Sequence, residues 1–143
     1  QAGKKIGSVS LTHSNGVAMA AAAAVEHFVG FGIDVEKVEQ RSDSWVTDYF
    51  DESEIALAGN GLEKWTRLNG IWSLKEASLK ALGVGLRFDL KDIVVSELDE
   101  CGRARLEFRN EAGRAVERLE FSEIEAWVEK RNNLVVARAF LRN

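Results

Sequence analysis

Acidic and basic side chains stand at regular spacing in two short stretches of an otherwise apolar sequence. Asp34 and Glu36 are two residues apart on a predicted strand, so both carboxylates point to one face of it. Glu76 and Lys80 are four residues apart on a predicted helix, so they are neighbours there. Three carboxylates that meet between a strand and a helix repel one another unless a cation lies among them. Such a set suits Mg²⁺, which prefers oxygen ligands and shares them with substrate phosphates.

The helix predicted around Glu76 is unusual because it is apolar nearly all round, which is typical of a core helix, yet it carries three charges. Buried charges destabilise a protein unless they are paired or bind a ligand. Lys75 and Lys80 are therefore candidates to hold phosphate oxygens. His13, in a predicted turn at 12–16, is a candidate for a further donor.

Each of these residues also has a simpler interpretation, and the residues alone leave it open. Asp34 and Glu36 would be ordinary if they faced solvent at the end of a strand. Glu76 and Lys80 would then be a helical ion pair, which contributes only about 0.3–0.5 kcal/mol. A histidine such as His13 in a polar turn is more often solvated than catalytic.

Composition limits the possible classes of function. The chain has 143 residues with 19 basic and 23 acidic side chains, a net charge of −4, which gives no general case for nucleic-acid binding. The single cysteine, Cys101, excludes an internal disulfide and favours a cytoplasmic location. The longest apolar run, residues 17–25, is too short to span a bilayer, so no membrane association is expected.

Periodicity predicts one α+β domain over residues 1–143, with a small antiparallel sheet packed on one long helix. The non-Met start is compatible with excision from a longer chain. Residues 17–25 are alanine-rich, so propensity favours a helix, while their short length and flanking glycines favour a buried strand. Segments 44–50 and 52–58 are predicted helices, and 62–82 is the long one, with a possible interruption at Asn69-Gly70. The predicted strands are 6–11, 29–36, 93–97, 104–108, 123–129 and 134–141, and 111–118 is ambiguous.

Two stretches and their spacing resemble the 4′-phosphopantetheinyl transferase superfamily. Gly32-Ile-Asp-Val-Glu36 is similar to its first signature, and Trp72-Ser-Leu-Lys-Glu-Ala-Ser-Leu-Lys80, about forty residues later, is similar to its second. Thr12-His-Ser14 resembles a third element that precedes the first signature in the surfactin-synthetase-activating type. The segment 49–54 resembles the phenylalanine-rich segment of the family that ends in Glu.

The resemblance implies an activity: transfer of the phosphopantetheine arm of coenzyme A to a serine of an acyl or peptidyl carrier protein, with release of adenosine 3′,5′-bisphosphate. It implies that Asp34, Glu36 and Glu76 hold Mg²⁺, and that Lys80 contacts the phosphates and neutralises the leaving oxygen. Thr12 and His13 would bind phosphates of coenzyme A. Lys75 matches the signature as a further coenzyme A residue, and the base is either Glu76 or a metal-bound water.

The surfactin type has two lobes, and this sequence matches only the second. The resemblance therefore implies either a homo-oligomer or a part of a larger multidomain synthase. Lys4, Lys5 and Arg41 are candidates to replace basic residues of the first lobe. Three basic residues that flank the long helix are either candidates for carrier docking or ordinary solvated charges, namely Arg67, Arg87 and Lys91.

Two other functions compete with the transferase. A non-catalytic carrier-protein docking domain would keep the fold, but it would have no reason to keep a buried charge cluster. A Mg²⁺-dependent hydrolase of nucleotides or coenzyme A would need a positioned water, for which the sequence shows nothing dedicated.

Overall fold

The computed structural model describes residues 7–24, 26, 28–85 and 87–143, and these residues form an α+β fold. Its strands are β1 Gly7–Ser14, β2 Val17–Ala24, β3 Gly30–Lys37, β4 Ile93–Leu98, β5 Arg103–Phe108, β6 Glu123–Arg131 and β7 Leu134–Arg142. Its helices are α1 Asp43–Tyr49, α2 Glu52–Ala58, α3 Lys64–Leu82 and α4 Asn110–Val116, with a turn of 3₁₀ helix at Leu90–Asp92. The predicted fold class, an antiparallel sheet packed on one long helix, is confirmed.

The main sheet has five antiparallel strands in the order β3-β7-β6-β5-β4, and β1 pairs with β2 in a separate hairpin. Alternate residues of β7 are small or apolar and buried, and α3 lies on that face of the sheet. These residues are Val135, Ala137, Ala139 and Leu141. The two alanines leave room for the helix backbone, so the C-terminal half of α3 lies close to β3, the edge strand that carries Asp34.

The long helix is continuous, so the interruption predicted at Asn69-Gly70 does not occur. Asn69 is fully buried, and its Nδ2 donates to the backbone oxygens of Trp65 at 2.7 Å and Glu39 at 2.9 Å. The second bond ties α3 to the segment that follows β3. Gly83 ends the helix in the left-handed conformation (φ 68°), which is typical of a glycine after the last turn of a helix.

The alanine-rich segment forms strand β2 and not the helix that its propensity favours. The turn is narrower than predicted, because Asn15 (φ 49°) and Gly16 (φ 77°) alone connect β1 to β2. Strand pairing thus overrides propensity here. The strand is also not buried, since every second residue of β2 is exposed. Ile6 and Val25, at the ends of the two predicted segments, lie outside the described residues, as do Lys4 and Lys5.

The remaining elements follow the prediction closely. Strands β4 and β5 form one antiparallel hairpin, and β6 and β7 form another that turns at Asn132-Asn133. The ambiguous segment 111–118 contributes helix α4. Ser42 caps α1 by accepting a hydrogen bond from the backbone N–H of Trp45. Within the described ranges, none of the helices has the length and hydropathy needed to cross a membrane.

Candidate active site

Asp34 lies in the middle of β3 with its carboxylate buried between β1 and α3. Its Oδ1 accepts hydrogen bonds from the Thr12 hydroxyl at 3.0 Å and the Lys80 ammonium at 2.8 Å. Its Oδ2 accepts one from the Ser73 hydroxyl at 2.9 Å. Donors from two other elements therefore fix the carboxylate, and the interpretation of Asp34 as a solvated strand-end residue does not hold.

Glu36 projects from the same face of β3 and is half-buried. Its Oε1 accepts a hydrogen bond from the Trp72 indole N–H at 3.3 Å, and its Oε2 lies 3.6 Å from the Arg41 guanidinium. Burial raises the pKa of Glu36 above its ordinary value, and the nearby charge of Asp34 raises it further. The positive charges of Arg41 and Lys80 therefore offset the burial of the Glu36 carboxylate and its repulsion by Asp34 only in part.

The carboxylate of Glu76 makes no hydrogen bond or ion pair with any described residue. The helical ion pair with Lys80 does not form, because the Lys80 ammonium is directed to Asp34. Burial raises the pKa of Glu76, the charge of Asp34 raises it further, Lys80 opposes the shift, and Glu36 adds to it. Glu76 is thus a half-buried carboxylate without a partner beside two other carboxylates.

Gly32 makes this arrangement possible by letting α3 approach β3. A Cβ atom at residue 32 would lie 2.0 Å from the backbone oxygen of Ala77 and 2.9 Å from Cβ of Lys80. Any side chain there would push away the helix that carries Glu76 and Lys80. The glycine of the first signature thus has a packing reason.

The predicted metal ligands Asp34, Glu36 and Glu76 are oxygen donors, which Mg²⁺ prefers. No three His, Cys, Asp or Glu side chains in the described ranges stand in the arrangement of a metal site. In addition, the oxygens of Asp34 already accept hydrogen bonds from two hydroxyls and from the Lys80 ammonium. The donor chemistry nevertheless fits, because Asp34, Glu36 and Glu76 are oxygen ligands whose mutual repulsion a divalent cation would relieve.

Lys75 lies elsewhere, in the core, and does not join these carboxylates. Its ammonium is fully buried and donates to Glu54 Oε2 at 2.7 Å, to the Tyr49 backbone oxygen at 2.8 Å and to the Leu90 backbone oxygen at 3.1 Å. These three bonds use all three of its donors. Glu54 Oε1 in turn accepts from the backbone N–H of Val95. Lys75 therefore stabilises the fold in this structure, and its expected contact with coenzyme A stays a prediction.

Thr12 and His13 point to opposite sides of β1. The Thr12 hydroxyl accepts from the backbone N–H of Val35 at 3.2 Å and donates its one proton to Asp34. Ser10 makes the matching bond to the backbone N–H of Ile33 at 3.0 Å. Thr12 thus positions Asp34, whereas His13 is exposed and its expected phosphate contact stays a prediction.

The polar contacts of Ser73 and Trp72 to the carboxylates are the site features that sequence reasoning missed. Ser73 lies three residues before Glu76, on the same side of the helix, and this spacing is the available signal. Trp72 carries no such signal, because an aromatic residue in an apolar helix is typical of a core. Only the packing of α3 on β3 shows that its indole N–H reaches Glu36.

The basic residues expected at a docking surface are all exposed: Arg67, Arg87 and Lys91. None of their side chains forms an ion pair with a described residue. Arg41 is different, because its guanidinium contacts Glu36 and Glu39 and lies over the Trp45 ring. Arg41 therefore lies next to one of the three carboxylates of Asp34, Glu36 and Glu76.

Comparison with known proteins gives a consistent result. The family model described as the 4′-phosphopantetheinyl transferase superfamily matches residues 30–138. The holo-[acyl-carrier-protein] synthase of Caldicellulosiruptor saccharolyticus is 29% identical over 111 residues, which are 74% of this chain and 89% of that protein.

Solved structures of holo-[acyl-carrier-protein] synthases share the fold. That from Neisseria meningitidis superposes with a TM-score of 0.70 at 16% identity, covering 81% of this chain and 99% of that one. That from Helicobacter pylori, solved in complex with coenzyme A, gives a TM-score of 0.64 at 19% identity, covering 78% and 98%. These relatives are holo-acyl-carrier-protein synthases, and the assignment to the surfactin type stays a prediction. With both signatures placed on β3 and α3 and a family model matched over most of the sequence, this chain belongs to the 4′-phosphopantetheinyl transferase superfamily.

Proposed function

We propose that this chain transfers the 4′-phosphopantetheine arm of coenzyme A to a serine of an acyl or peptidyl carrier protein in a Mg²⁺-dependent reaction. Adenosine 3′,5′-bisphosphate is the other product. The observation that carries the proposal is the set of partly compensated carboxylates, Asp34, Glu36 and Glu76, gathered beside Lys80 at the two signature positions.

Asp34, Glu36 and Glu76 are the proposed metal ligands. When bound there, Mg²⁺ would polarise phosphoryl oxygens and neutralise the charge that develops on the diphosphate. Phosphoryl transfer depends mainly on such charge neutralisation and on alignment. Asp34, Glu36 and Glu76 have only Lys80 and Arg41 as cationic neighbours among the described residues. This excess of negative charge favours binding of a divalent cation over a purely structural role.

The surrounding residues hold the ligands in place. The Thr12 and Ser73 hydroxyls fix both oxygens of Asp34, and the Trp72 indole N–H fixes Glu36. Because Thr12 and Ser73 are themselves buried, they lose no freedom when a ligand arrives. This rigidity favours a preorganised site.

In the proposed reaction the serine hydroxyl of the carrier attacks the phosphorus next to the pantetheine. The new serine O–P bond forms as the P–O bond to adenosine 3′,5′-bisphosphate breaks. Glu76, whose carboxylate has no partner among the described residues, is the candidate in this chain to take the serine proton. If Glu76 also bound Mg²⁺, it would be a weaker base, because the cation stabilises the ionised carboxylate. The Lys80 ammonium, partly exposed at the edge of the cluster, neutralises the leaving phosphate oxygen.

Coenzyme A needs further contacts, and we propose that His13 provides one of them. The outer face of the β1–β2 hairpin carries exposed apolar side chains, with Val9 68% and Leu11 67% exposed. Such a face is typical of an interface. This supports the proposed homo-oligomer or larger multidomain synthase, in which a neighbouring lobe would complete the coenzyme A site.

The carrier is proposed to dock through the exposed basic residues Arg67, Arg87 and Lys91, since carrier proteins of this family's reaction are typically acidic.

A single transferase domain over residues 1–143 and a cytoplasmic location stay predictions.

The proposal is tested by incubating the protein with coenzyme A, Mg²⁺ and an apo carrier protein and measuring the intact mass of the carrier. We expect a mass increase equal to one phosphopantetheine group, located on a serine by fragmentation. Carrier binding without any mass change would indicate the docking domain. Loss of coenzyme A in the absence of carrier would indicate the hydrolase.

A further inference from the structure

The Lys80 side chain is the one cation among the described residues that directly contacts Asp34. Its Nζ lies 2.8 Å from Asp34 Oδ1 and 3.1 Å from the backbone oxygen of Ile33. Both acceptors belong to β3, although Lys80 is on α3, one turn from the unpaired Glu76. The ammonium has thus turned away from its helical neighbour to the buried carboxylate.

The contacts of Asp34 differ in how easily they can be released. Thr12 and Ser73 are buried hydroxyls on short side chains, fixed by β1 and α3. Lys80 is about one third exposed and has a long flexible side chain, so it can leave without any change of the backbone. Asp34 Oδ1 is therefore free to accept another cation only when Lys80 has moved.

We propose that Lys80 is the internal counter-ion of Asp34 in the ligand-free protein, and that it couples binding of the divalent cation to binding of coenzyme A. Lys80 leaves Asp34 when a divalent cation binds there, and its ammonium then pairs with the diphosphate of coenzyme A. The inference rests on the proposed function, because it takes Asp34 as a ligand of the cation. It goes beyond that function because it states that the Lys80 ammonium exchanges Asp34 for the diphosphate when the divalent cation binds.

Coupling of this kind has two measurable consequences. Without coenzyme A, Lys80 competes with the cation and weakens its binding, as any like charge at this distance would. With coenzyme A present, Lys80 has an alternative partner and the competition falls. Linkage then requires that coenzyme A tightens cation binding by the same factor as the cation tightens coenzyme A binding.

The test is calorimetric titration of the folded protein with MgCl₂ alone and again with saturating coenzyme A. We expect Lys80→Met to bind Mg²⁺ at least about tenfold more tightly than the unmodified protein in the absence of coenzyme A. Coenzyme A should then increase Mg²⁺ affinity by a smaller factor in Lys80→Met than in the unmodified protein. Lys80→Arg, which keeps the charge, should retain the weaker binding.

Lys37→Met is the matched control. Lys37 ends β3, carries the same charge and pairs with Glu39 instead of a proposed ligand. We expect it to change Mg²⁺ affinity by less than about twofold, because exposed charges are screened. Lys80→Gln provides a second neutral variant if Lys80→Met does not fold.

Three results would overturn the proposal: Mg²⁺ affinity in Lys80→Met that is no higher than in the unmodified protein, an equal effect of coenzyme A in both, or no Mg²⁺ binding by either. These outcomes are separate from the transfer assay. Transfer to the carrier without the Lys80→Met effect would remove only this inference. The Lys80→Met effect without transfer would remove only the proposed activity.

Discussion

Lys75 and Glu76 are adjacent residues on α3. Both have charged side chains that are at least half-buried, but the surroundings of the two charges differ. Lys75 is fully buried, and its ammonium finds the Glu54 carboxylate and two backbone oxygens. Glu76 is half-buried, has no partner among the described residues, and lies near the charges of Asp34 and Glu36. The helix thus has a fully compensated charge pair on one side and, on the other, a group of carboxylates whose charge is compensated only in part.

The difference indicates which buried charges belong to the fold and which to chemistry. A buried ion pair with every donor satisfied needs nothing from outside, and it links α3 to α2 and to the 3₁₀ helix. A group of carboxylates with excess negative charge gains from a cation that the chain does not supply. Substitutions of Glu76, Lys75 and Gly32 test this comparison.

Replacement of Glu76 by Gln should lower the rate of phosphopantetheine transfer by about 10²–10⁴, because a proposed ligand and base loses its charge. Glutamine keeps the shape of the side chain, so the fold should be retained. The rate is measured from the intact mass of the carrier, with circular dichroism as a control for folding. Turnover near that of the unmodified protein would remove Glu76 from the site.

Replacement of Lys75 by Met should lower the free energy of unfolding by about 3–5 kcal/mol, because Glu54 is left as an unpaired buried charge. Denaturant titration measures the loss. The double variant Lys75→Met/Glu54→Gln removes both charges and should recover much of the stability. It should also transfer phosphopantetheine at a rate within about tenfold of the unmodified protein, which would contrast it with Glu76→Gln. A double variant as unstable as Lys75→Met would show that the pair is not the cause.

Replacement of Gly32 by Ala should lower the free energy of unfolding by about 1–3 kcal/mol, since its Cβ would overlap the backbone of α3. Gly70→Ala is the matched control, because a Cβ there meets only Val128 at 3.4 Å. The control should be neutral or slightly stabilising, as alanine favours a helix. Equal losses from the two substitutions would contradict the close approach of α3 to β3.

Removal of the Glu76 charge should also change the pH dependence of stability in a metal-free buffer. The pKa of Glu76 is raised in the folded protein, so its contribution to stability is fully present below the ordinary value of 4.5 and is lost as the pH rises through the folded pKa. Glu76→Gln should therefore gain stability over the unmodified protein at pH 7 and gain less at pH 4.5. Chemical denaturation at both pH values measures this, and a larger gain at pH 4.5 would reverse the sign that burial predicts.

Much of the cluster could be predicted from the sequence, because it depends on local spacing. The two-residue period of β3 places Asp34 and Glu36 on one face, and the helical period of α3 brings Glu76 and Lys80 to neighbouring positions. What the spacing could not give was the partner of each charge. Lys80 has two carboxylates within reach, and only the packing of α3 on β3 directs it to Asp34.

The expectations that changed depended on long-range contacts. Helix propensity could not foresee that residues 17–24 would pair with β1. Periodicity likewise did not indicate that Lys75 would donate to Glu54 and Leu90. Nor did it indicate that Thr12 would bond to Val35 and Asp34. The expected contacts of Lys75 and Thr12 with coenzyme A stay predictions. In each case the deciding neighbour is far away in the sequence, so periodicity carries no signal for it.

The most direct test of the central claim is the rate of phosphopantetheine transfer with Mg²⁺ and with a chelator, measured for the unmodified protein and for Asp34→Ala. The account predicts that the carrier gains mass only with the unmodified protein and only in Mg²⁺. Transfer that persists in the chelator, or that proceeds in Asp34→Ala at a rate close to that of the unmodified protein, would contradict it.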